Sequence, residues 1–296
     1  MTPPDHSKDQ NGLPDPRANP YRDDIAADYL EGKVPAARFV AGAERRLGLA
    51  CAPVMSKPDA GALQSSELLF GEDFIVYEDK DGWAWGQCGH DGYVGYVKSS
   101  GLFSNLPEAT HWVAALRSLV FPDNKGEYPP SLSLSMMSKV AVEETDGDYA
   151  KLASGGWMFA SHLAPFGETR PDFVATASIF SRLPYLWGGR GGQGIDCSGL
   201  IQISLAAAGI LCPRDSDQQA AAIGQDIPVP DDLGDLAPGD IVFFPGHVGI
   251  YLAAGAFLHA SSHDMMVVTH SLTDVVERMR ERFDRSINRV RRVAGN

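Results

Sequence analysis

Short runs of apolar residues separated by turn residues dominate the first half of the chain. Between residues 45 and 104, runs such as 74–77 and 93–97 combine aromatic and β-branched residues, and an Asp-Gly pair lies between them at 81–82. Apolar runs bounded by Asp-Gly turns are typical of hairpins in an antiparallel sheet. This stretch therefore predicts a small all-β barrel.

A weaker version of the same pattern follows between residues 110 and 166. An apolar run at 155–160 follows one at 146–153, and both are bounded by glycine. Each block has a glycine followed by an aromatic residue at a similar position: Gly82-Trp83 in the first block and Gly147-Asp148-Tyr149 in the second. Such self-similarity favours an internal duplication. We therefore expect a second, degenerate barrel.

The pattern changes after residue 168. We expect a helix over 171–182, an apolar helix from Cys197 to about Gly209, and mostly loop over 213–238. The remaining pattern predicts strands at 240–244, 247–252, 256–260 and 265–270, a charged helix at 272–283 and a last strand at 286–293. A helix that precedes a meandering antiparallel sheet is an α+β arrangement.

These patterns divide the chain into expected segments. They are an arm with a short helix near residues 23–30, two barrels and an α+β domain, at 1–44, 45–105, 106–167 and 168–296. The expected fold class is therefore multidomain, with two small all-β barrels followed by an α+β domain. A length of 296 residues agrees with two or three domains of about 100–200 residues each.

Charge and hydropathy narrow the classes of partner. The net charge of −13 argues against a nucleic-acid or anionic-membrane binder. The first 20 residues lack the apolar core of a signal peptide, and the apolar run at 200–211 is shorter than the ~20 residues that span a bilayer. We expect a cytoplasmic location, or a periplasmic or extracellular one if a signal was removed, and we favour a monomer.

The cysteines have no CxxC spacing, so we expect neither a disulfide scaffold nor a metal site. They are Cys51, Cys88, Cys197 and Cys212. Buried free thiols are the favoured interpretation, and a pairing of Cys51 with Cys88 stays open. The glycine-rich loop at 188–194 lacks the Gly-Lys-Ser/Thr run of a phosphate loop, and we expect no cofactor.

Cys197 is the candidate for chemistry because it lies where the glycine-rich loop gives way to the apolar helix. The positive end of a helix dipole stabilises a thiolate. A thiolate is the attacking species in a cysteine hydrolase. The sequence therefore points to nucleophilic catalysis, which requires a base close to the sulfur.

Two histidines are candidates for the base and for the group that orients it. If 253–255 is a three-residue loop, Leu252 pairs with Ala256, and His247 lies diagonal to His259 on one face of the sheet. Diagonal neighbours are ~7–8 Å apart at the backbone, which two imidazoles can bridge. A two-residue loop would place them on opposite faces. Two further histidines, His263 and His270, are expected to be surface or edge residues.

Several motifs follow one another in a fixed order. They are Tyr-x-Trp-Gly-Gly from Tyr185, Asp-Cys-Ser-Gly-Leu around Cys197, Gly-Asp-x-x-Phe-Phe from Gly239, His-Val-Gly-Ile-Tyr from His247 and His-Ala at His259. In this order they resemble the NlpC-type cell-wall cysteine peptidase family, over about the last 125 residues. The resemblance implies a papain-like α+β domain, with Cys197 as nucleophile, His247 as base and His259 as third polar residue.

The resemblance implies further site residues. The Tyr185 hydroxyl is expected to steady the oxyanion, and Trp187 of the same motif to contact the substrate. Asp196 is expected either to cap the helix or to bind a free amino group of the substrate, assisted by Ser198. Arg214 is expected to meet a substrate carboxylate.

The run at 81–97 resembles a bacterial SH3-like domain. Such a domain ahead of this catalytic domain resembles the γ-D-glutamyl-L-diamino acid endopeptidases, in which the barrel closes one end of the cleft. This implies hydrolysis of peptidoglycan stem peptides with a free N-terminal L-alanine through a Cys197 thioester, and a role in cell-wall recycling. The alternatives are a non-catalytic wall-peptide binding or scaffold protein, and an amidase or acyltransferase on the same fold.

Overall fold

The computed structural model describes residues 12–230, 232–284 and 286–293. The chain divides into two compact units, of which the first ends at Glu168 and the second begins at Thr169. The three expected segment boundaries within the chain stay predictions. Among the described residues, no helix combines the length and apolar character needed to cross a membrane.

The described part of the first unit consists of β-strands and three short 3-10 helices, at Asp28–Leu30, Ser99–Gly101 and Ala160–His162. Its strands are β1 (Ala26–Ala27), β2 (Phe39–Val40), β3 (Ala43–Leu47), β4 (Cys51–Met55), β5 (Gln64–Leu69), β6 (Asp73–Lys80), β7 (Trp83–Cys88), β8 (Val94–Lys98), β9 (Leu102–Phe103), β10 (His111–Val113), β11 (Arg117–Phe121), β12 (Leu132–Ser135), β13 (Lys139–Val140), β14 (Val142–Asp146), β15 (Tyr149–Leu152), β16 (Trp157–Phe159) and β17 (Leu163–Pro165).

The first block of strands forms an antiparallel sheet in the order β5-β4-β8-β7-β6-β3-β9. Asp81 and Gly82 both have positive φ, at 53° and 77°, as a two-residue hairpin turn between β6 and β7 requires. Buried side chains of Leu47, Phe74 and Val97 belong to its core. The strands expected at 74–97 are therefore confirmed.

The arm before this sheet contains less helix than its sequence suggests. Only a single 3-10 turn forms at Asp28–Leu30, because the backbone N–H of Ala26 is engaged by the carbonyl of Arg38 at the β1–β2 pair. Ile25 and Leu30 are buried in a cluster with Trp85. Residues of the arm thus pack on the first sheet.

The second block contains two further antiparallel sheets, in the orders β12-β11-β16-β15-β14 and β13-β10-β17. Val113, Leu134 and Met158 lie in one buried cluster. The run expected at 146–153 is divided by a turn at Gly147, where φ is 57°, so that β14 and β15 form a hairpin.

The second unit combines four α-helices with a sheet within its described residues. The helices are α1 (Phe173–Ile179), α2 (Cys197–Ala207), α3 (Ser216–Ala222) and α4 (Leu272–Phe283), with 3-10 helices at Leu233–Asp235 and Ala253–Gly255. The strands are β18 (Gln225–Ile227), β19 (Ile241–Phe244), β20 (His247–Tyr251), β21 (Ala256–Ser261), β22 (Met266–Ser271) and β23 (Arg289–Arg292).

The sheet of the second unit is antiparallel, in the order β18-β23-β19-β20-β21-β22. Helix α2 is apolar and almost wholly buried, and it packs on β20 and β21. Helix α4 buries Leu272, Val275 and Met279 in a cluster that also contains Phe244 and Phe257 of the sheet. The α+β arrangement places the start of α2 beside the start of β20.

Two helices differ from their expected form. Helix α1 ends at Ile179, short of the expected residue 182, because Arg182 adopts a left-handed conformation with φ at 70°. Helix α3 lies in a stretch expected to be loop, and it begins with a capping box between Asp215 and Gln218. Its buried side chains include Gln218 and Gln219, so its inward face lacks the apolar periodicity that signals a helix.

Candidate active site

Cys197 is the first residue of α2, and Asp196 caps the helix. The Asp196 carboxylate accepts hydrogen bonds from the backbone N–H of Gly199 at 2.7 Å and of Gly188 at 2.8 Å. It thereby joins the first turn of the helix to the glycine-rich loop. Of the two expected roles of Asp196, the structure shows the cap, and recognition of a substrate amino group stays a prediction.

Arg214 neutralises this carboxylate from the other side. Its Nη2 and Nη1 atoms donate to the two oxygens of Asp196 at 2.6 Å and 3.0 Å, the bidentate geometry of a strong ion pair. Nη1 also donates to the Ser198 hydroxyl at 2.8 Å. The Arg214 residue is only 1 % exposed. The expected contact of Arg214 with a substrate carboxylate is therefore corrected, since its guanidinium is buried against Asp196.

Gln219 of α3 extends the support beneath the nucleophile. Its Nε2 atom donates to the backbone carbonyls of Ser198 and Pro213, both at 2.9 Å. This amide links α3, the loop that carries Arg214 and the first turn of α2. The contribution of Gln219 has no sequence signal, because α3 itself was expected to be loop.

The Cys197 thiol is buried, with 9 % of the residue exposed. Burial raises the pKa of this thiol to about 12, and the charge of Asp196 acts in the same direction. The backbone N–H groups of Val248 and Ser198 and the charge of Arg214 lower the pKa by smaller amounts. Desolvation thus outweighs the helix dipole, opposite to the direction expected from the sequence, so the thiol needs a base to take its proton.

The base candidate lies next to a residue that contacts the sulfur. His247 begins β20, and the following N–H, of Val248, is hydrogen-bonded to Cys197. Nε2 of His247 is 2.8 Å from Nδ1 of His259 on β21. The predicted contact of the two histidines is therefore confirmed. It results from the three-residue loop at Ala253–Gly255, across which Leu252 N donates to the Ala256 carbonyl at 2.7 Å.

His259 is suited to accept a hydrogen bond from a ring N–H while remaining neutral. It is 3 % exposed, and burial, followed by the charges of His247, His270 and Arg278, lowers its pKa to about 2. A ring that stays neutral at physiological pH keeps one bare nitrogen as a hydrogen-bond acceptor. His259 can therefore orient His247 throughout a reaction cycle.

Tyr185 and Trp187 differ in exposure. Tyr185 is half-buried and is held by a hydrogen bond from its backbone N–H to the Met265 carbonyl at 2.9 Å. Burial raises the pKa of its hydroxyl, followed by the charges of Cys197 and Asp196, so Tyr185 keeps its proton as a donor. Trp187 is 57 % exposed, which leaves its indole ring open to a ligand.

Sequence reasoning missed the side chains behind the histidine pair. Nδ1 of His270 is 3.2 Å from Nε2 of His259 and also 3.2 Å from Nη2 of Arg278. His270 lies on the edge strand β22, as expected, but its ring faces inward. The pairing of β21 with β22 and the packing of α4 bring these groups together, and neither follows from a local motif.

A separate cluster in the first unit contains possible metal ligands. Cys88, His90 and Asp91 each offer one ligand atom within 4.8 Å of the others. The His90 ring is flanked by two carboxylates, with Nε2 3.0 Å from Asp91 Oδ2 and Nδ1 3.5 Å from Glu72 Oε2. We interpret the cluster as a polar contact of the His90 ring with these carboxylates, which connects two turns of the first sheet.

Two family models match the chain over regions that contain these features. Residues 182–283 match the NlpC/P60 family, and they include Cys197, His247 and His259. Residues 182–283 are an NlpC/P60 domain. Residues 54–102 match the bacterial dipeptidyl-peptidase SH3 domain. The chain thus contains an NlpC/P60 domain preceded by an SH3 domain, and it is a cysteine peptidase.

Two curated relatives match most of the chain. The chain is 29 % identical over 232 residues to the gamma-D-glutamyl-L-lysine dipeptidyl-peptidase of Bacillus subtilis, covering 71 % of this chain and 77 % of that protein. It is 26 % identical over 250 residues to dipeptidyl-peptidase 6 of Lysinibacillus sphaericus, covering 75 % and 89 %.

A solved structure has the same fold. The crystal structure of an NlpC/P60 family protein from Bacillus cereus superimposes with a TM-score of 0.69 at 20 % identity. The match covers 84 % of this chain and 99 % of that one. The NlpC/P60 domain and the preceding SH3 domain therefore share their fold with that protein.

Proposed function

We propose that this chain is a cysteine endopeptidase that hydrolyses the bond between γ-D-glutamate and a diamino acid in peptidoglycan stem peptides. The observation that carries the proposal is the hydrogen-bonded pair of His247 and His259 beside the buried Cys197 thiol. The Bacillus subtilis relative is a gamma-D-glutamyl-L-lysine dipeptidyl-peptidase, which supports this substrate class.

The reaction begins with proton transfer from Cys197 to His247. The sulfur attacks the γ-carbonyl carbon, and the carbonyl electrons move onto its oxygen to form a tetrahedral intermediate. His259 accepts a hydrogen bond from the far nitrogen of His247 and stabilises the imidazolium that forms. Because burial raises the thiol pKa to about 12, the thiolate forms only with the help of a base.

The intermediate collapses when His247 returns its proton to the leaving amine of the diamino acid. The carbon–nitrogen bond breaks, and the acyl group remains on Cys197 as a thioester. Water then attacks the thioester with His247 as base, which releases the γ-carboxylate and restores the thiol. One water molecule is consumed for each peptide bond broken.

The oxyanion of the intermediate requires donors. The Tyr185 hydroxyl is one proposed donor, since its raised pKa keeps it protonated. The Cys197 backbone N–H at the start of α2 is the other. Removing one such donor lowers kcat by roughly 10²–10³-fold in other hydrolases.

Recognition of a free N-terminal L-alanine is part of the proposal. Asp196 and Ser198 are the proposed partners of the substrate ammonium, which would join the existing network with Arg214. Trp187 is the proposed apolar contact because its ring is exposed. A requirement for a free amino terminus implies action on peptides already released from the glycan, and hence a recycling role.

A peptide panel tests this proposal. Full-length protein is incubated with L-Ala-γ-D-Glu-L-Lys and with its N-acetylated form, and products are read by mass spectrometry. We expect L-Ala-γ-D-Glu and L-Lys from the free peptide, and cleavage of the blocked peptide slower by about 10²-fold, the size of a lost charged contact. The Cys197→Ala variant is expected to lose at least about 10³-fold in rate.

The other outcomes identify the alternatives. Equal cleavage of both peptides would contradict recognition of the amino terminus. Binding of the peptide without cleavage by wild-type protein would indicate a wall-peptide binding or scaffold protein. Transfer of the acyl group to an added amine, or release of another amide, would indicate an acyltransferase or amidase on the same fold.

The finer description of the fold is also a proposal. We assign the two sheets between residues 106 and 167 to a second, degenerate SH3-like barrel because the strand order β12-β11-β16-β15-β14 repeats the order β5-β4-β8-β7-β6 of the first sheet. We assign the domain from residue 168 to a papain-like fold, since a helix that begins with cysteine packs on an antiparallel sheet that carries the histidine. We also favour a monomer in solution.

A further inference from the structure

A third histidine continues the hydrogen-bond chain behind His247 and His259. His270 lies on β22 opposite Phe257 of β21, and its Nδ1 atom is 3.2 Å from Nε2 of His259. The same Nδ1 atom is 3.2 Å from Nη2 of Arg278 on α4. Two side chains from different elements therefore converge on one ring nitrogen.

The identity of these partners determines where each ring carries its proton. A guanidinium donates hydrogen bonds and accepts none, so the Nδ1 atom of His270 that faces Arg278 is bare. Nε2 of His259 must then donate to that atom. A neutral imidazole carries one N–H, so Nδ1 of His259 is bare and accepts from Nε2 of His247.

The assignment leaves one ring atom of His247 for catalysis. With its proton on Nε2, His247 has a bare Nδ1, and a general base needs a bare nitrogen to receive the thiol proton. If the chain of tautomers ran the other way, Nδ1 of His247 would carry a proton and could not act as base. Arg278, which contacts the histidine furthest from Cys197, therefore determines which tautomers form.

Asp264 closes the chain on the other side of His270. Its Oδ2 atom is 3.8 Å from Nε2 of His270 and 3.9 Å from Nη1 of Arg278. The hydrogen bond from Ser261 is the main cause that lowers the pKa of Asp264, so the group is a carboxylate. An anion on this side favours the proton of His270 on Nε2, which again leaves Nδ1 bare.

We propose that Arg278 and His270 are positioning residues that set the tautomers of His259 and His247, and so keep Nδ1 of His247 unprotonated and able to take the Cys197 proton. The inference rests on the proposed function for its kinetic part only. The tautomers themselves are a property of the resting protein and can be measured without substrate.

The first test reads the tautomers directly. Full-length protein with ¹⁵N-labelled histidine, in the Cys197→Ala background, is studied by two-bond ¹⁵N–¹H NMR correlation, which distinguishes bare from protonated ring nitrogens. We expect one tautomer for His247 and His259, each protonated on Nε2. Arg278→Met is expected to give mixed tautomers at both rings.

The chain offers a matched control on the same helix. Arg282 of α4 lies 3.2 Å from Nδ1 of His263, an equivalent contact between exposed residues that does not reach the catalytic pair. Arg282→Met is expected to leave both tautomers unchanged. Unchanged tautomers in Arg278→Met as well would overturn the proposal.

The second test measures kinetics and pH dependence. Arg278→Met is expected to lower kcat roughly tenfold, the effect of one hydrogen bond, with KM unchanged. The charged and titratable groups around the pair are Cys197 at the start of α2, Asp264, His270 on β22 and Arg278 on α4. Burial lowers the pKa of His259, and Arg278 is one of the charges that lower it further. Removing this cation raises that pKa, so the loss of kcat/KM on the acidic side is expected to move to higher pH, whereas Arg282→Met leaves it in place.

Substitutions of His270 separate positioning from packing. His270→Asn places an amide oxygen near the position of Nδ1 and is expected to retain kcat within about threefold. His270→Leu has similar bulk without an acceptor and is expected to lose roughly tenfold. Equal kcat in the two variants would contradict the proposal, and this comparison also applies if Arg278→Met does not fold.

The tautomers and the peptidase activity are measured independently of each other. A single Nε2 tautomer in wild-type protein that becomes mixed in Arg278→Met supports the positioning role even if no stem peptide is cleaved. If stem peptides are cleaved but the histidine tautomers are the same in wild-type protein and Arg278→Met, the proposed function is supported and the positioning role is rejected.

Discussion

Burial of the Cys197 sulfur makes its reactivity depend on pH in a defined direction. Because the pKa of the thiol is raised to about 12 by burial, the thiolate is a minor species at neutral pH. We expect alkylation of Cys197 by iodoacetamide in the His247→Gln variant to accelerate about tenfold per pH unit between pH 7 and pH 9. Peptide mapping by mass spectrometry measures the rate at this cysteine alone.

The comparison with wild-type protein isolates the contribution of the base. With His247 present, the imidazole can take the thiol proton, so labelling at pH 7 is expected to be faster than in His247→Gln. The buried Cys88 thiol in the first unit is the internal reference. A plateau of the His247→Gln rate near neutral pH would mean that the helix dipole, rather than desolvation, dominates.

At the scale of elements, the close approach of β20 and β21 sets the geometry of the base. A Cβ atom on Gly249 would lie 2.8 Å from Cβ of His259 and would also contact the Phe257 ring. We expect Gly249→Ala to displace His259 and lower kcat roughly 10²-fold, the effect of about 1 Å of misplacement. Crowding is expected to lower the free energy of unfolding by about 1–3 kcal/mol.

The control for this substitution is a similar glycine in the first unit. A Cβ atom on Gly95 of β8 would lie 2.5 Å from the Val54 side chain, so Gly95→Ala also crowds a sheet. We expect it to reduce stability without the loss in kcat. Normal kcat in Gly249→Ala, measured on the folded fraction, would show that His259 does not depend on this spacing.

The elements also show what sequence alone can predict. The period of two along β20 and β21 and the length of the loop between them determine that His247 and His259 share a face, so this contact was predictable. Helix α3 was not, because its buried face carries Gln218 and Gln219. The contact of His270 with Arg278 depends on how α4 packs against β22, and no periodicity encodes that packing.

At the scale of the whole molecule, the ion pair of Arg214 with Asp196 contributes both to the stability of the second unit and to the structure of the site. Arg214 and Asp196 are almost fully buried, and removing one partner leaves an unpaired charge in the interior. We expect Arg214→Met to lower the free energy of unfolding of the second unit by about 3–5 kcal/mol. Urea denaturation followed by the far-ultraviolet circular dichroism of the α-helices reports this change, because α1–α4 all lie in the second unit.

An exposed ion pair provides the comparison for Arg214. Arg38 contacts Glu78 at 2.8 Å with 55 % of the Arg38 side chain exposed, and such pairs contribute about 0–1 kcal/mol. Arg38→Met is therefore expected to have little effect on unfolding. If Arg214→Met lowers the free energy of unfolding by less than about 1 kcal/mol, the buried ion pair contributes no more to stability than an exposed one.

The ion pair between Asp196 and Arg214 has a consequence for biosynthesis. During translation, Cys197 leaves the ribosome before Arg214, and both precede His247 and His259 in the chain. A nascent or truncated chain thus carries the thiol without the cation that contacts the first turn of its helix and without the proposed base. Peptidase activity can arise only after the last of these segments has been synthesised and folded, so the order of synthesis itself keeps immature chains inert.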